Sequence, residues 1–110
     1  MSLDAQEIAV TRDELAANLA LSGLTRAEVA ADLRLSPARL DSTVAVDDAD
    51  PADVWLLRDY LEQAVRDAGR SPVPFTVLTP RSRRLARAWF TLRDAPRHAF
   101  TGAAPRTAQA

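Results

Sequence analysis

The chain has 110 residues, of which 47% are apolar and 26% charged, a composition that suits one folded domain with a small core. It contains no cysteine, which excludes disulfides, thiolate metal sites and cysteine catalysis. The net charge of −1 and a pI near 5.7 disfavour indiscriminate binding to nucleic acid.

Residues 1–10 carry no strong periodic signal. Thr11 to Glu14, T-R-D-E, has the form of a capping box, in which a Thr hydroxyl accepts from a free backbone N–H and a Glu reaches back. Leu15 and Leu19 follow four apart, and Gly23 suits the left-handed residue just past a helix end, so a first helix is predicted over 12–22. A second box, T-R-A-E at 25–28, opens a helix over 26–33 with Val29 and Leu33 on one face. Arg34 and Leu35 make a turn. Ser36 then caps and Pro37 opens a third helix over 37–45, with Leu40 and Val44 four apart.

Asp50 caps and Pro51 opens the fourth helix, and Asp53 lies in its first turn, where negative charge suits the helix dipole. Its apolar stripe of Val54, Leu57, Leu61 and Val65 is widened by Trp55, Leu56 and Tyr60, and Gly69 closes the helix near 68. RSPVPFTVL, residues 70–78, alternates as a strand would, but a lone strand has nothing to pair with. An extended strap that docks Phe75 into the helical core is expected instead. Thr79 caps and Pro80 opens a fifth helix over 80–94, with Leu85, Trp89 and Leu92 on its apolar stripe. From Ala95 the composition turns to Ala, Pro, Arg and Thr, which predicts a disordered tail over 95–110. The predicted fold is all-α: a helix-turn-helix-like bundle of about five helices over residues 1–94, with a Pro-rich strap and a disordered C-terminal tail.

Charge is unevenly spread. Residues 1–62 hold 13 carboxylates and 5 arginines, while residues 63–110 hold 2 carboxylates and 9 arginines. The halves are expected to attract each other, within one chain or across a dimer, or the basic half to meet an acidic partner. No apolar run reaches the roughly 20 residues of a membrane span, and Asp4 stands where a signal peptide would be basic. A cytoplasmic location without membrane association is therefore expected.

Residues 25–44 meet the spacing of a helix-turn-helix. Val29 and Leu33 point inward, Ala30 leaves room where the helices approach, Leu35 anchors the turn and Leu40 anchors the second helix. The usual turn glycine is replaced by Arg34, at a cost of roughly 1 kcal/mol if its φ is positive. In this motif the third helix is the recognition helix, and its exposed N-terminal residues are Pro37, Ala38, Arg39, Asp41 and Ser42. Arg39 can grip a guanine by two hydrogen bonds, Ser42 can meet a base or a phosphate, and Ala38 can touch a thymine methyl.

Arg26 and Arg34 are the phosphate contacts beside them. Arg84 and Arg87, in a row with Arg81 at i, i+3, i+6 and with Arg83 adjacent, add a second phosphate clamp from the fifth helix. Asp41, Asp32, Asp47 and Asp48 oppose a polyanion. The primary expectation is a small helix-turn-helix regulator that binds double-stranded DNA. The alternative is a non-catalytic protein-interaction module that turns the same fold and an acidic face to a basic protein partner. A homodimer is expected from the long apolar stripe of the fourth helix, the two tryptophans and the small core.

No enzyme is expected. Asp47, Asp48, Asp50 and Asp53 lack the glycine and distal glutamate of a calcium loop. His98 is the single histidine and sits in the predicted tail. There is neither a Gly-rich phosphate loop nor a GxSxG elbow. No catalytic residue, metal or cofactor is assigned.

The runs LSGLTRAEVAADLRLSP and VWLLRDYLEQAVRDAGRSPVPFTVL, with WFTL at 89–92, resemble a small bacterial family of unknown function, numbered 2316. The resemblance spans residues from about 11 to 92. Its most specific parts are W-x-L-R-D-Y-L at 55–61 and P-V-P-F-T at 72–76. It implies a helix-turn-helix fold and carries no activity with it. The arginines at 81–87 look like a departure from the family, which weakens the phosphate clamp as a family property.

Overall fold

The computed structural model describes residues 3–87, the side chain of Arg87 excepted. The fold is all-α, with helices α1 (Ala5–Ser22), α2 (Arg26–Leu33), α3 (Pro37–Ala45), α4 (Pro51–Asp67) and α5 (Pro80–Arg87) and no strand among the described residues. The expected course of the fifth helix to residue 94, with Trp89 and Leu92, lies outside the described residues, as do His98 and the tail over 95–110.

The local signals fix α2, α3 and α4 closely. Thr25 N–H donates to Glu28 Oε1 at 2.9 Å and Glu28 N–H to Thr25 Oγ1 at 3.1 Å, closing the capping box. Ser36 Oγ accepts from Arg39 N–H at 3.1 Å, and Asp50 Oδ1 accepts from Ala52 N–H at 2.9 Å. Arg34 ends α2 in the left-handed region at φ 57°, and Leu35 N–H reaches back to Ala30 O at 3.0 Å. Val46 ends α3 in the same way at φ 51°.

The first helix is longer than its sequence signal suggested. It starts at Ala5, seven residues before the predicted start at residue 12. Asp4 and Glu7 form the capping box: Glu7 N–H donates to Asp4 Oδ1 at 2.8 Å and Asp4 N–H to Glu7 Oε1 at 3.1 Å. Thr11 is thus no cap. It lies inside the helix, fully buried, and its hydroxyl has no hydrogen-bond partner among the described residues. Glu14 is released from the expected box and used elsewhere.

The core surrounds α4. Leu57, Leu61, Ala64, Val65 and Tyr60 are fully buried there, with Val54, Trp55 and Leu56 nearly so. Each large apolar side chain so removed from water contributes about 1.5–3 kcal/mol. α1 packs along α4 through Leu15, and α3 packs on it through Leu40 and Val44. The α1 face that lies in the interior is mostly polar: Thr11, Asn18 and Ser22 are fully buried beside Leu15.

Of these, Asn18 binds the strap, residues 70–78. Asn18 Nδ2 donates to Val73 O at 3.0 Å and to Glu14 O at 2.9 Å, and Val73 N–H donates to Asn18 Oδ1 at 2.9 Å. The side-chain amide thus stands in for a neighbouring strand. Glu14 accepts from Thr76 N–H at 3.1 Å and from Thr76 Oγ1 at 2.8 Å. Arg70 donates to Leu21 O at 2.7 Å, and Arg58 donates from Nε to Leu78 O at 3.0 Å while lying over the Phe75 ring at 4.8 Å. Phe75 is buried in the core, as the strap reading expects, and Leu78 is buried beside it.

Two stability predictions follow from this geometry. Asn18→Ala removes the clamp and strands the backbone groups of Val73, so the free energy of unfolding in urea should fall by about 2–3 kcal/mol. Arg34→Gly removes a Cβ from a left-handed residue. It should raise that free energy by about 0.5–1 kcal/mol, since glycine's freedom in the unfolded chain offsets part of the gain.

Candidate nucleic-acid interface

α2, the turn at Arg34 and α3 lie where the sequence spacing places them. Val29, Ala30, Leu33, Leu35 and Leu40 are all buried. The N-terminal half of α3 stands at the surface: Pro37, Ala38, Arg39 and Asp41 are exposed, and Ser42 is half-buried. Two polar ties hold the unit on α4. Tyr60, itself fully buried, donates from its hydroxyl to Asp32 Oδ2 of α2. Arg39 of α3 donates from Nε to Asp53 Oδ2 at 2.6 Å and from Nη2 to Asp53 Oδ1 at 3.1 Å.

The Arg39–Asp53 pair is lopsided in exposure. The Asp53 side chain is 1% exposed and that of Arg39 is 53% exposed. The hydrogen bond from Asp53, then its charge, holds the Arg39 guanidinium protonated, above its ordinary range. Asp50 adds negative charge at 3.9 Å from Nη2. Arg39 is also fixed at its backbone, where Thr43 Oγ1 donates to Arg39 O at 2.7 Å.

The other candidate residues divide. Arg26 pairs with Asp41 at 2.9 Å, both side chains being more than half exposed. Arg34 is exposed in the turn, and neither it nor the exposed Arg84 makes an ion pair within 4 Å among the described residues. Arg83 is largely buried. It pairs with Asp59 of α4 and lies over the Trp55 ring at 4.7 Å. Arg58 extends this cluster to Asp59 and Glu62, each at 3.2 Å. Arg83, adjacent to the α5 row, therefore joins the basic half of the chain to the acidic half, while Arg81 and Arg84 of the row are exposed. The side chain of Arg87 lies outside the described residues.

Residues 25–53 hold three arginines against seven carboxylates. Most of these acids have local tasks: Glu28 and Asp50 cap helices, Asp32 receives Tyr60, Asp41 receives Arg26 and Asp53 receives Arg39. Asp47 and Asp48 are exposed beyond the C-terminal end of α3. The rise from Arg39 to the end of that helix is about 9 Å, close to the screening length of about 8 Å at physiological salt.

Sequence reasoning missed Asp53 as the anchor of Arg39, treating it as a first-turn residue suited to the helix dipole. The two lie 14 residues apart on different helices, and no local pattern links them. It also missed Asn18 and the Tyr60–Asp32 tie for the same reason. The α4 stripe that suggested a dimer is covered within the chain, leaving Leu85, 54% exposed, as the large apolar side chain at the surface among the described residues. Among those residues no group of His, Cys, Asp or Glu could hold a metal ion, and no helix is long and apolar enough to cross a membrane.

Tyr60 gives a test of the α2–α4 tie. Burial, then the Asp32 hydrogen bond and charge, raise its pKa above the ordinary tyrosine value, which is about 10 in unfolded chains. The neutral phenol therefore contributes stability in full below about pH 10, and that stability is lost as pH rises toward the higher folded value. In an alkaline titration the tyrosinate absorbance of this single tyrosine should appear together with loss of helix. Tyrosinate forming near its ordinary pH with helicity intact would show that the tie is absent.

A family model described as "Uncharacterized protein conserved in bacteria (DUF2316)" matches residues 1–91. No curated protein and no solved structure matches the chain.

Proposed function

The chain belongs to the DUF2316 family of uncharacterised bacterial proteins, and from that premise we propose that it is a small helix-turn-helix protein that binds double-stranded DNA as a transcriptional regulator. The observation that carries this reading is the open N-terminal half of α3, with Arg39 half exposed on it and α2 and α4 packed behind it. In the major groove that half of α3 faces base edges. Arg39 meets guanine, Ser42 meets a base or a phosphate, and Ala38 meets a thymine methyl. Arg26 and Arg34 take phosphates beside it. The Arg26–Asp41 pair is exposed and of little worth in water, so a phosphate can displace Asp41. Arg84 and Arg87 supply the second phosphate contact.

A homodimer belongs to the same proposal, since paired half-sites suit a two-fold protein. Its contact is not the α4 stripe, which the chain itself covers. The second reading, a protein-interaction module for a basic partner, draws on the three arginines against seven carboxylates over residues 25–53.

Fluorescence anisotropy with a mixed duplex pool separates the two. The regulator should bind at low salt and lose affinity steeply as salt rises. Arg39→Ala should weaken the preferred duplex on the order of ten-fold and relax specificity at one base pair. Absence of duplex binding at low salt would discard the regulator and leave the interaction module.

A further inference from the structure

We infer that Asp53 is the positioning residue that makes Arg39 a reader of guanine, through the edge of the guanidinium that Asp53 leaves open. The inference rests on the DNA-binding reading above. A guanidinium carries five N–H donors in a rigid fork. The two Asp53 oxygens occupy the Nε–H and one Nη2–H, at 2.6 and 3.1 Å. Three donors remain: one Nη1–H and the second Nη2–H point the same way and form the end-on edge of the fork, while the other Nη1–H lies on the Cδ side. Asp53 is buried and Arg39 is half exposed, so the anchored side lies in the protein and the guanidinium reaches solvent elsewhere, with Asp50 Oδ2 standing 3.9 Å from Nη2, beyond hydrogen-bond range.

That edge offers donors only. It matches the paired acceptors O6 and N7 of guanine in the major groove. Adenine sets a donor, N6–H₂, beside its N7, cytosine presents a donor, and thymine presents one acceptor, so each leaves one arm of the fork opposed or empty. The anchor is itself rigid. Asp53 lies in the first turn of α4, behind Pro51 and the Asp50 cap. Arg39 N–H is held by Ser36 Oγ at 3.1 Å, and Arg39 O by Thr43 Oγ1 at 2.7 Å. A long side chain is thus ordered before DNA arrives, and ordering that would weaken binding has already taken place in the free protein. Asp53 also offsets the charge of Arg39, so the pair recognises by donor geometry more than by attraction to phosphate.

The test starts with selection of bound sequences from a random duplex library. It is followed by competition anisotropy with the selected duplex and with copies carrying A·T at each G·C position. Three proteins are compared: the unaltered chain, Asp53→Asn and Arg39→Lys, each checked for helicity by circular dichroism. Asn offers one acceptor and one donor, so it cannot hold both arms of the fork. Lys keeps the charge opposite Asp53 and loses the fork.

The unaltered chain should prefer G·C at one position by about ten-fold, and both variants should reduce this to about two-fold or less with the salt dependence unchanged. Full guanine preference in a folded Asp53→Asn, with its loss in Arg39→Lys, would show that Arg39 reads without the anchor and would overturn the inference alone. Duplex binding by the unaltered chain with no guanine-dependent position would overturn it as well. No duplex binding at all would remove the DNA reading, and this inference with it. A second readout needs no variant. The Arg39 Nε–H resonance, protected by Asp53 in the free protein, should stay protected in the complex, and its release on binding would overturn the inference even if Asp53→Asn did not fold.

Discussion

A helix with a wide apolar stripe must have that stripe wrapped, and α4 sets that requirement for the whole chain. Its buried residues from Asp53 to Val65 leave few positions that tolerate water. About 85 described residues provide limited material for the wrapping. α1 and α3 each cover part of the surface. The strap brings Phe75 and Leu78, and α5 adds Ala86 to the core and lays the Arg83 guanidinium over Trp55. The extended strap is thus a consequence of geometry: a nine-residue segment covers more length of α4 than another helix of the same size would.

Wrapping a core in this way also decides what α3 can present. Its inner side, Leu40 and Val44, is committed to α4, and its outer side is free. The polar ties from Tyr60 to Asp32 and from Arg39 to Asp53 then fix the rotation and tilt that packing alone leaves soft. Both ties place one partner in the core and the other near solvent, so α2 and α3 are registered against α4 by groups whose burial would be unfavourable if they were unpaired. The proposed interface and the stability of the core are for this reason built from the same residues.

The parts of the fold legible in the sequence were those governed by neighbours along the chain. T-R-A-E at 25–28, Ser36 with Pro37, and Asp50 with Pro51 are local devices, and the helices start where they stand. Phe75 in the core followed from two prolines and the lack of a second strand. The start of α1 was misplaced because two capping boxes compete, at Asp4–Glu7 and Thr11–Glu14, and only the first is used. Burial of residues 8–22 against distant partners decides between them, and that is not a local property. At the candidate site, the exposed face of α3 was legible from helical spacing. The Arg39–Asp53 fork was not, because it depends on how two helices 14 residues apart in the chain come to lie side by side.

The strap has a further effect on how the protein behaves in a crowded solution. Extended segments are templates for intermolecular β-pairing when their N–H groups point outward unpaired. Here Pro72 and Pro74 have no N–H, Val73 N–H is held by Asn18, and Thr76 N–H is held by Glu14. Phe75 keeps its own N–H but is buried. Among the described residues, the stretch with a strand-like pattern therefore offers a second molecule few free N–H groups to pair with, a buried asparagine covering it as sheet proteins cover their edges.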